Sequence, residues 1–465
     1  MSRSGESVHV LVFPYPAQGH TLSLLDLTHQ LSLRNITITV LTTPKNKPTL
    51  SPLLNANPAI QTLVFPFPSH PSIPPGVENV RELGNRGNLP VMLALANLFD
   101  PIVHWFQSHH NPPVAIISDF FLGWTLSLAN QLRIPRINFC SSGAFLCSVL
   151  DYCWNHVDDI IKSFDDGAVI ELPDLPRSPA FKGEHLPSVF KLYKGSDPGD
   201  SQFLKDGMIN NSLSWGCVVN SFEAVETEYL DYIKTKMGHN RVYGVGPLSL
   251  VGPPESTSSK DYTLEWLDKC PDGSVLYVCF GSQKLLNREQ MEALALGLEK
   301  SQVRFLWVVK TGSDGYGSGS VPEGFEERVG ERGLVVKGWV PQVSILNHKA
   351  VGGFVSHCGW NSVLEAIVGG VMVMGWPMEA DQFVNARLLV DDLGVAVRVC
   401  EGADSVPDSD ELGKVIAESL NGYVETKVKA KELRDKALAG VRSGGGSSIA
   451  DLYRLVQDLN NLQLK

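Results

Sequence analysis

Residues 339–382 read WVPQVSILNHKAVGGFVSHCGWNSVLEAIVGGVMVMGWPMEADQ, and they gather side chains able to hold a base, a diol, a diphosphate and a sugar in that order. Trp339 closes the apolar run GLVVKGW. A flat aromatic at the carboxyl end of a strand in an open α/β sheet can stack on a planar base, although a core residue under a loop would read the same way. Gln342 carries an amide that can hydrogen-bond a base or a ribose. From Gly353 the chain reads as a strand, a glycine turn at His357-Cys358-Gly359 and the opening of a helix. The first N–H groups of a helix, with their partial positive charge, suit a diphosphate. The segment holds one lysine, Lys349, and no arginine, so helix dipoles, His357, Asn361 and Ser362 would have to hold the phosphates. Glu365 admits two readings: Ser362-x-x-Glu365 is a helix capping box, and a carboxylate here can accept both hydroxyls of a ribose. Asp381 and Gln382, read as the end of a second strand after the Pro377 turn, can pair with sugar hydroxyls. Leaving one such buried group unpaired costs the wrong epimer about 1–3 kcal/mol.

A second set of reactive side chains lies far upstream. His20 sits in the PAQGH turn after the first apolar run, and an imidazole titrating near neutrality can take the proton from an attacking hydroxyl. A lone histidine is more often a satisfied surface residue. Asp119, however, ends PVAIISD at the same carboxyl edge of the same sheet. A carboxylate on the far imidazole nitrogen fixes the tautomer and stabilises the imidazolium. His109 and His110, before Asn111-Pro112-Pro113, read as a solvated helix end, and His348 beside Lys349 as part of an exposed face.

The elements that must position these groups alternate. VHVLVFPYP is a β-branched run, LSLLDLTHQLSLR has helical spacing and ITITVLTT is a second strand. The series continues through PVAIISD, a helix from about Leu122 to Gln131, IPRINFC, CVVNSF and RVYGVGPL. After the linker-like LVGPPESTSSKDY, a second series runs SVLYVCFGS, the helix REQMEALALGLEKS, RFLWVVK, the loop TGSDGYGSGS, GLVVKGW, GGFVSHC and VMVMGW. Such alternation indicates parallel βαβ units. The fold class is therefore α/β, with two doubly wound Rossmann-like domains facing across a cleft. Their expected bounds are 1–248, a linker at 249–262, and 263–443. Residues 444–465 form a last, amphipathic helix opened by the GGGSS turn.

The 465 residues suffice for two domains of about 200 residues each. A net charge of -11, from 39 Lys+Arg against 50 Asp+Glu, argues against a nucleic-acid binder that neutralises phosphates. The polar start MSRSGESV, and Pro14, Pro16 and Gln18 inside the next apolar run, give no secretory signal. Charges such as Asp119 and Glu365 inside apolar stretches disfavour a membrane span. The eight cysteines show neither Cys-x-x-Cys nor zinc spacing, so reduced thiols in a cytoplasmic protein are expected.

Together these residues resemble the 44-residue signature box of plant secondary-product UDP-dependent glycosyltransferases. Trp339, Gln342, the His357–Ser362 string, Glu365, Trp376-Pro377 and Asp381-Gln382 fall at that family's spacing, and the likeness extends through PAQGH, Ser118-Asp119, VVNSFE, WLD at 266–268 and FGS at 280–282. The resemblance implies a GT-B architecture in which 1–248 binds the acceptor and 263–443 binds the UDP-sugar. It implies that Trp339 stacks on uracil, Val340 pairs with it through its backbone, and Glu365 holds the ribose diol. His357, Asn361, Ser362 and Ser282 would hold the phosphates, and Trp360, Asp381 and Gln382 would line the sugar. Gln382 points to UDP-glucose; UDP-xylose, UDP-rhamnose and UDP-galactose are rival donors. Val340 stands where alanine is commoner, which a backbone contact tolerates.

By the same resemblance His20 is the general base and Asp119 its partner in a single displacement, which inverts the anomeric carbon and gives a β-glucoside. The implied acceptor is a flavonoid or simple phenolic, with Phe120, Phe121, Phe145 and Trp154 as candidate walls, core packing being the stronger expectation for most of them, and Ser141 or Ser142 reaching the sugar. The expected partners are UDP-glucose and that phenolic, with no nucleic acid, no membrane span, no cofactor and no metal, in a cytoplasmic monomer. Asp408-Ser409-Asp410 matches the Asp-x-Asp of metal-dependent glycosyltransferases, but after Pro407 it reads as a helix start, where acids gain about 0.3–1 kcal/mol. No Gly-x-Gly-x-x-Gly follows the first strand, which disfavours a nicotinamide dehydrogenase. The rival class is a UDP-sugar-binding protein or a sugar-nucleotide epimerase of similar fold. Either needs the UDP site and no acceptor base, and His20 within PAQGH favours the transferase.

Overall fold

The computed structural model describes residues 7–164, 167–252, 262–281, 284–310 and 319–463. Ser282, residues 253–261 of the expected linker and residues 311–318 lie outside the described residues. Contacts divide the chain into two compact units, Met1–Ser256 with Ala439–Lys465, and Thr257–Leu438.

In the first unit the strands are β1 (His9–Phe13), β2 (Thr37–Thr42), β3 (Gln61–Val64), β4 (Ala115–Asp119), β5 (Arg136–Cys140), the small hairpin β6 (Val169–Glu171) and β7 (Ala180–Lys182), β8 (Gly216–Val219) and β9 (Val242–Gly244). Seven of them form a parallel sheet ordered β3-β2-β1-β4-β5-β8-β9. Every residue of β1, β4 and β5 is buried, as expected of parallel strands covered by helices on both faces. The second unit holds β10 (Val275–Cys279), β11 (Arg304–Val309), β12 (Gly333–Lys337), β13 (Val351–Ser356), β14 (Met372–Gly375) and β15 (Ala396–Arg398). They form a second parallel sheet, β12-β11-β10-β13-β14-β15. Two such sheets with alternating helices are two Rossmann-like domains, the pair expected of a GT-B architecture.

The last helix, Ser447–Leu462, packs in the first unit. Ile449, Leu452, Leu455, Val456 and Leu459 join its core, each buried side chain contributing about 1.5–3 kcal/mol. Asp451 accepts the Gly244 N–H at 2.8 Å and Ser448 donates to the Gly246 carbonyl at 2.6 Å. Among the described residues no single helix is long and apolar enough to cross a membrane. The bent pair Asn85–Ala96 and Phe99–Ser108 passes that test by length and composition, yet its Val91, Met92, Ala94, Leu95 and Ile102 are at most 1% exposed.

Several local expectations are corrected. The first helix begins at Gln18, four residues before the apolar periodicity does, so His20 lies in its first turn and not in the preceding loop. No side chain caps this start, which removes the usual signal. The helix expected from Leu122 runs Thr125–Leu132. Asp381 and Gln382 do not end a strand: β14 stops at Gly375, and they open the helix Gln382–Arg387. Cys140 and Cys147 are joined as a disulfide, against the expected reduced thiols, and six cysteines are free.

Candidate active site

In the first unit, β1 and β4 are neighbours in register, Phe13 opposite Ser118, so their carboxyl ends lie side by side. The chain beyond β1 enters the helix that carries His20, and Asp119 is the last residue of β4. His20 Nδ1 lies 2.9 Å from Asp119 Oδ2 and 3.1 Å from Oδ1. Asp119 is wholly buried and also accepts the Phe121 N–H at 2.9 Å, while the His20 side chain is 22% exposed. An ionised carboxylate only accepts, so Nδ1 carries the proton and Nε2 keeps its lone pair for a second partner. Aromatic rings fix the imidazole: Phe120 stacks on it at 5.2 Å, with Phe121 at 4.8 Å and Tyr15 at 5.4 Å. Phe145 and Trp154 are 1% exposed and pack against Tyr229 and Phe190, in the core as the stronger expectation had it. Ser141 and Ser142 follow β5, almost fully buried. Of the other histidines, His348 meets Asp268 at 3.2 Å and caps the Ala350 N–H, a structural role.

In the second unit Trp339 follows the edge strand β12 and is 79% exposed, which rules out the core reading. Val340 beside it is buried, and its carbonyl accepts the Gln342 N–H at 2.9 Å. Gln342 lies within about 10 Å of Trp339 along the chain, but its amide is already committed. Oε1 accepts from the Tyr277 hydroxyl at 3.0 Å, and Nε2 donates to Glu365 Oε2 at 2.6 Å and to Ser362 Oγ at 3.1 Å. Gln342 therefore orients Glu365, where the sequence offered it to the base or ribose. The helix Trp360–Gly369 starts at Gly359 without a side-chain cap. Ser362 is its third residue, so no capping box forms and the capping reading of Glu365 falls away. Asp408 does cap, accepting from Asp410 and Glu411 N–H at the start of Ser409–Asn421.

The turn before Trp360 holds His357 between two glycines. A β-carbon on Gly359 would lie 2.5 Å from His357 Nε2, and one on Gly281 2.8 Å from the same ring. His357 Nδ1 is buried with no partner among the described residues. Burial pushes the imidazole down to about 4, so it is neutral at pH 7. The unfolded chain protonates it near 6.5, hence the stability it contributes is present above that value and is lost as pH falls from about 6.5 to 4. The wild type should lose up to about 3 kcal/mol more than His357→Gln over that window in urea titrations at stepped pH. Parallel profiles would show an ordinary, solvated histidine.

Further along the chain, Asp381 Oδ2 and the Cys358 carbonyl both accept from the amide of Asn385, at 2.9 Å each. Gln382 Oε1 accepts the Met378 and Glu379 N–H groups at 3.0 and 3.1 Å, so its carbonyl end is committed to the backbone. Cys358 and Ala380, with φ of 65° and 58°, are non-glycine residues in the left-handed region. Strain of about 1–3 kcal/mol apiece persists where surroundings over-determine the backbone, often at functional turns.

Residues 258–421 match the family described as UDP-glucoronosyl and UDP-glucosyl transferase. The chain is 55% identical to UDP-glycosyltransferase 89A2 of Arabidopsis thaliana, over 99% of this chain and 98% of that one. It belongs to the plant UDP-glycosyltransferases. The transferase is also 48% identical to flavonol 3-O-glucosyltransferase UGT89B1 of the same plant, over 98% and 97% of the two chains. Crystal structures of Arabidopsis thaliana UGT89C1 with UDP-L-rhamnose and with quercetin superpose with TM-scores of 0.80 and 0.79 at 38% and 39% identity, each covering 98% of the transferase and 100% of that chain.

Three site neighbours escape a reading of the transferase by motif. Arg136, 1% exposed, donates to Ser118 and Thr125 hydroxyls at 2.9 Å, to Asn211 Oδ1 at 3.0 Å and to the Asp119 carbonyl at 3.3 Å. Burial lowers its guanidinium to about 9. Glu226, in a kink of Glu223–Met237, accepts the Ala144 and Phe145 N–H groups that open the helix after Ser141-Ser142. Asn385 ties Asp381 to the His357 turn. A charge inside an apolar strand, IPRINFC, is the one available signal for Arg136.

Proposed function

We propose that the transferase is an inverting O-glucosyltransferase that moves glucose from UDP-glucose to a small hydroxylated aromatic, a flavonoid or simple phenolic. The observation that carries this reading is the His20–Asp119 pair. With Nδ1–H held by a buried carboxylate, Nε2 can accept the acceptor's hydroxyl proton as its oxygen attacks the anomeric carbon. The bond to UDP breaks as the new C–O bond forms, and one displacement inverts the centre. Asp119 steadies the imidazolium until the proton leaves. On the donor, Trp339 stacks on uracil beside the Val340 backbone, Glu365 takes the ribose diol, and His357, Asn361, Ser362 and the helix amino terminus take the diphosphate. Ser282 is proposed to join them. Trp360, Asp381 and Gln382 face the sugar. The reading invokes no metal, and a helix-start role for the Asp-x-Asp is supported by Asp408 accepting the Asp410 and Glu411 N–H groups.

The family supports a UDP-sugar donor and the 48%-identical flavonol glucosyltransferase supports glucose, while the UDP-L-rhamnose complex of a 38%-identical relative makes rhamnose the rival. Initial rates with quercetin and UDP-glucose, UDP-galactose, UDP-xylose or UDP-rhamnose test this. UDP-glucose is expected to lead by about tenfold in kcat/KM, and Gln382→His, which offers one ring acceptor to two backbone N–H groups, to cost about tenfold with glucose. A lead for UDP-rhamnose, or a Gln382→His enzyme equal to wild type, removes the reason for naming glucose.

A further inference from the structure

We propose that Tyr277, acting through Gln342, is a positioning residue that aims the Glu365 carboxylate and so sets how strongly the donor's ribose hydroxyls are recognised; this rests on Glu365 being the ribose anchor. Tyr277 is a wholly buried residue of β10, and its hydroxyl donates to Gln342 Oε1 at 3.0 Å. The two Nε2 hydrogens of Gln342 then go to Glu365 Oε2 at 2.6 Å and Ser362 Oγ at 3.1 Å. Ser362 and Glu365 are three residues apart on one helix face, so one amide bridges the phosphate and ribose ends of the donor site.

A glutamine amide turned end for end exchanges its acceptor for its donors without changing shape. The phenol decides the orientation. Burial holds it protonated, with Cys279, whose thiol also meets the phenol, and Glu365 the titratable groups beside it, and its hydrogen goes to Oε1 at 3.0 Å. With Oε1 so held, Nε2 faces Glu365. Without the phenol the amide is free to turn Oε1 toward Glu365, setting two acceptors face to face, and the carboxylate swings away from the ribose.

Calorimetric titration of full-length wild type, Tyr277→Phe, Gln342→Met and Glu365→Gln with UDP and with 2′-deoxy-UDP tests the relay. Wild type is expected to prefer UDP by about tenfold. Tyr277→Phe and Gln342→Met should each shrink that preference to about threefold or less, with 2′-deoxy-UDP affinity within about threefold of wild type. A uniform loss for both ligands with the preference intact is what a merely structural Tyr277 gives, and it overturns the proposal. If Tyr277→Phe does not fold, Gln342→Met at its half-buried position decides alone by the same ratio. Glu365→Gln separates the two levels: if it keeps the wild-type preference, the ribose anchor itself is wrong, whereas a preference lost in Glu365→Gln and kept in Tyr277→Phe sinks the relay only.

Discussion

His20→Ala is expected to slow glycoside formation by about 10³-fold or more while the Kd for UDP stays within about twofold. The rate loss follows from the proton. A neutral phenol or alcohol is a poor nucleophile, and Nε2 of His20 is the lone pair that the buried Asp119 leaves available. The unchanged Kd follows from the division of the chain, since His20 belongs to Met1–Ser256 and the box residues to Thr257–Leu438. Asp119→Asn belongs to the same expectation. A neutral amide can donate to Nδ1 and impose the wrong tautomer, so a loss of about 10²–10⁴-fold is expected with the ring still in place. Stopped assays of quercetin glycoside, paired with UDP calorimetry, read both quantities. A His20→Ala enzyme that lost UDP binding along with its rate would refute the assignment of base and donor to separate units.

The second large effect is expected from Trp339→Ala. Base stacking on an aromatic is worth about 1–3 kcal/mol, so UDP-glucose affinity should fall by about 10- to 100-fold, with Trp339→Phe recovering part of it. Because the indole is 79% exposed and buries little of its own surface in the free protein, the unfolding midpoint should stay where it is. A core tryptophan would behave in the opposite way, costing about 3–5 kcal/mol of stability on truncation. Calorimetry and thermal unfolding on the same two variants separate the cases; an unchanged Kd removes the uracil platform.

Much of the fold was legible because parallel strands buried on both faces read as largely unbroken apolar runs and not as alternating ones. HVLVF, AIISD and VLYVC announce themselves, and sheet order follows from their alternation with helices. The meeting of His20 and Asp119 could be anticipated for a related reason: one follows and the other ends neighbouring strands at one carboxyl edge of the sheet. What was not legible depends on partners that no local pattern records. Gln342 looked available to a ligand, yet Tyr277, 65 residues away, had claimed its oxygen. Ser362-x-x-Glu365 had the spacing of a capping box, but the helix started three residues earlier at Gly359-Trp360. Asp381 and Gln382 were misplaced because apolar VMVMGW runs past the point where its ladder ends, at Gly375. Arg136 and Glu226 are buried charges whose cost is offset only by tertiary hydrogen bonds, and spacing along the chain cannot show those.

The anomeric configuration of the first product reports on the displacement at the sugar carbon. Wild-type enzyme, UDP-glucose and quercetin should yield a glucoside whose anomeric proton shows the large trans-diaxial coupling of the β form by NMR, from the first turnovers onward. One base and one displacement allow nothing else. An α-glucoside, or UDP-glucose hydrolysed with no glycoside formed, would contradict an inverting transfer driven by His20 and Asp119.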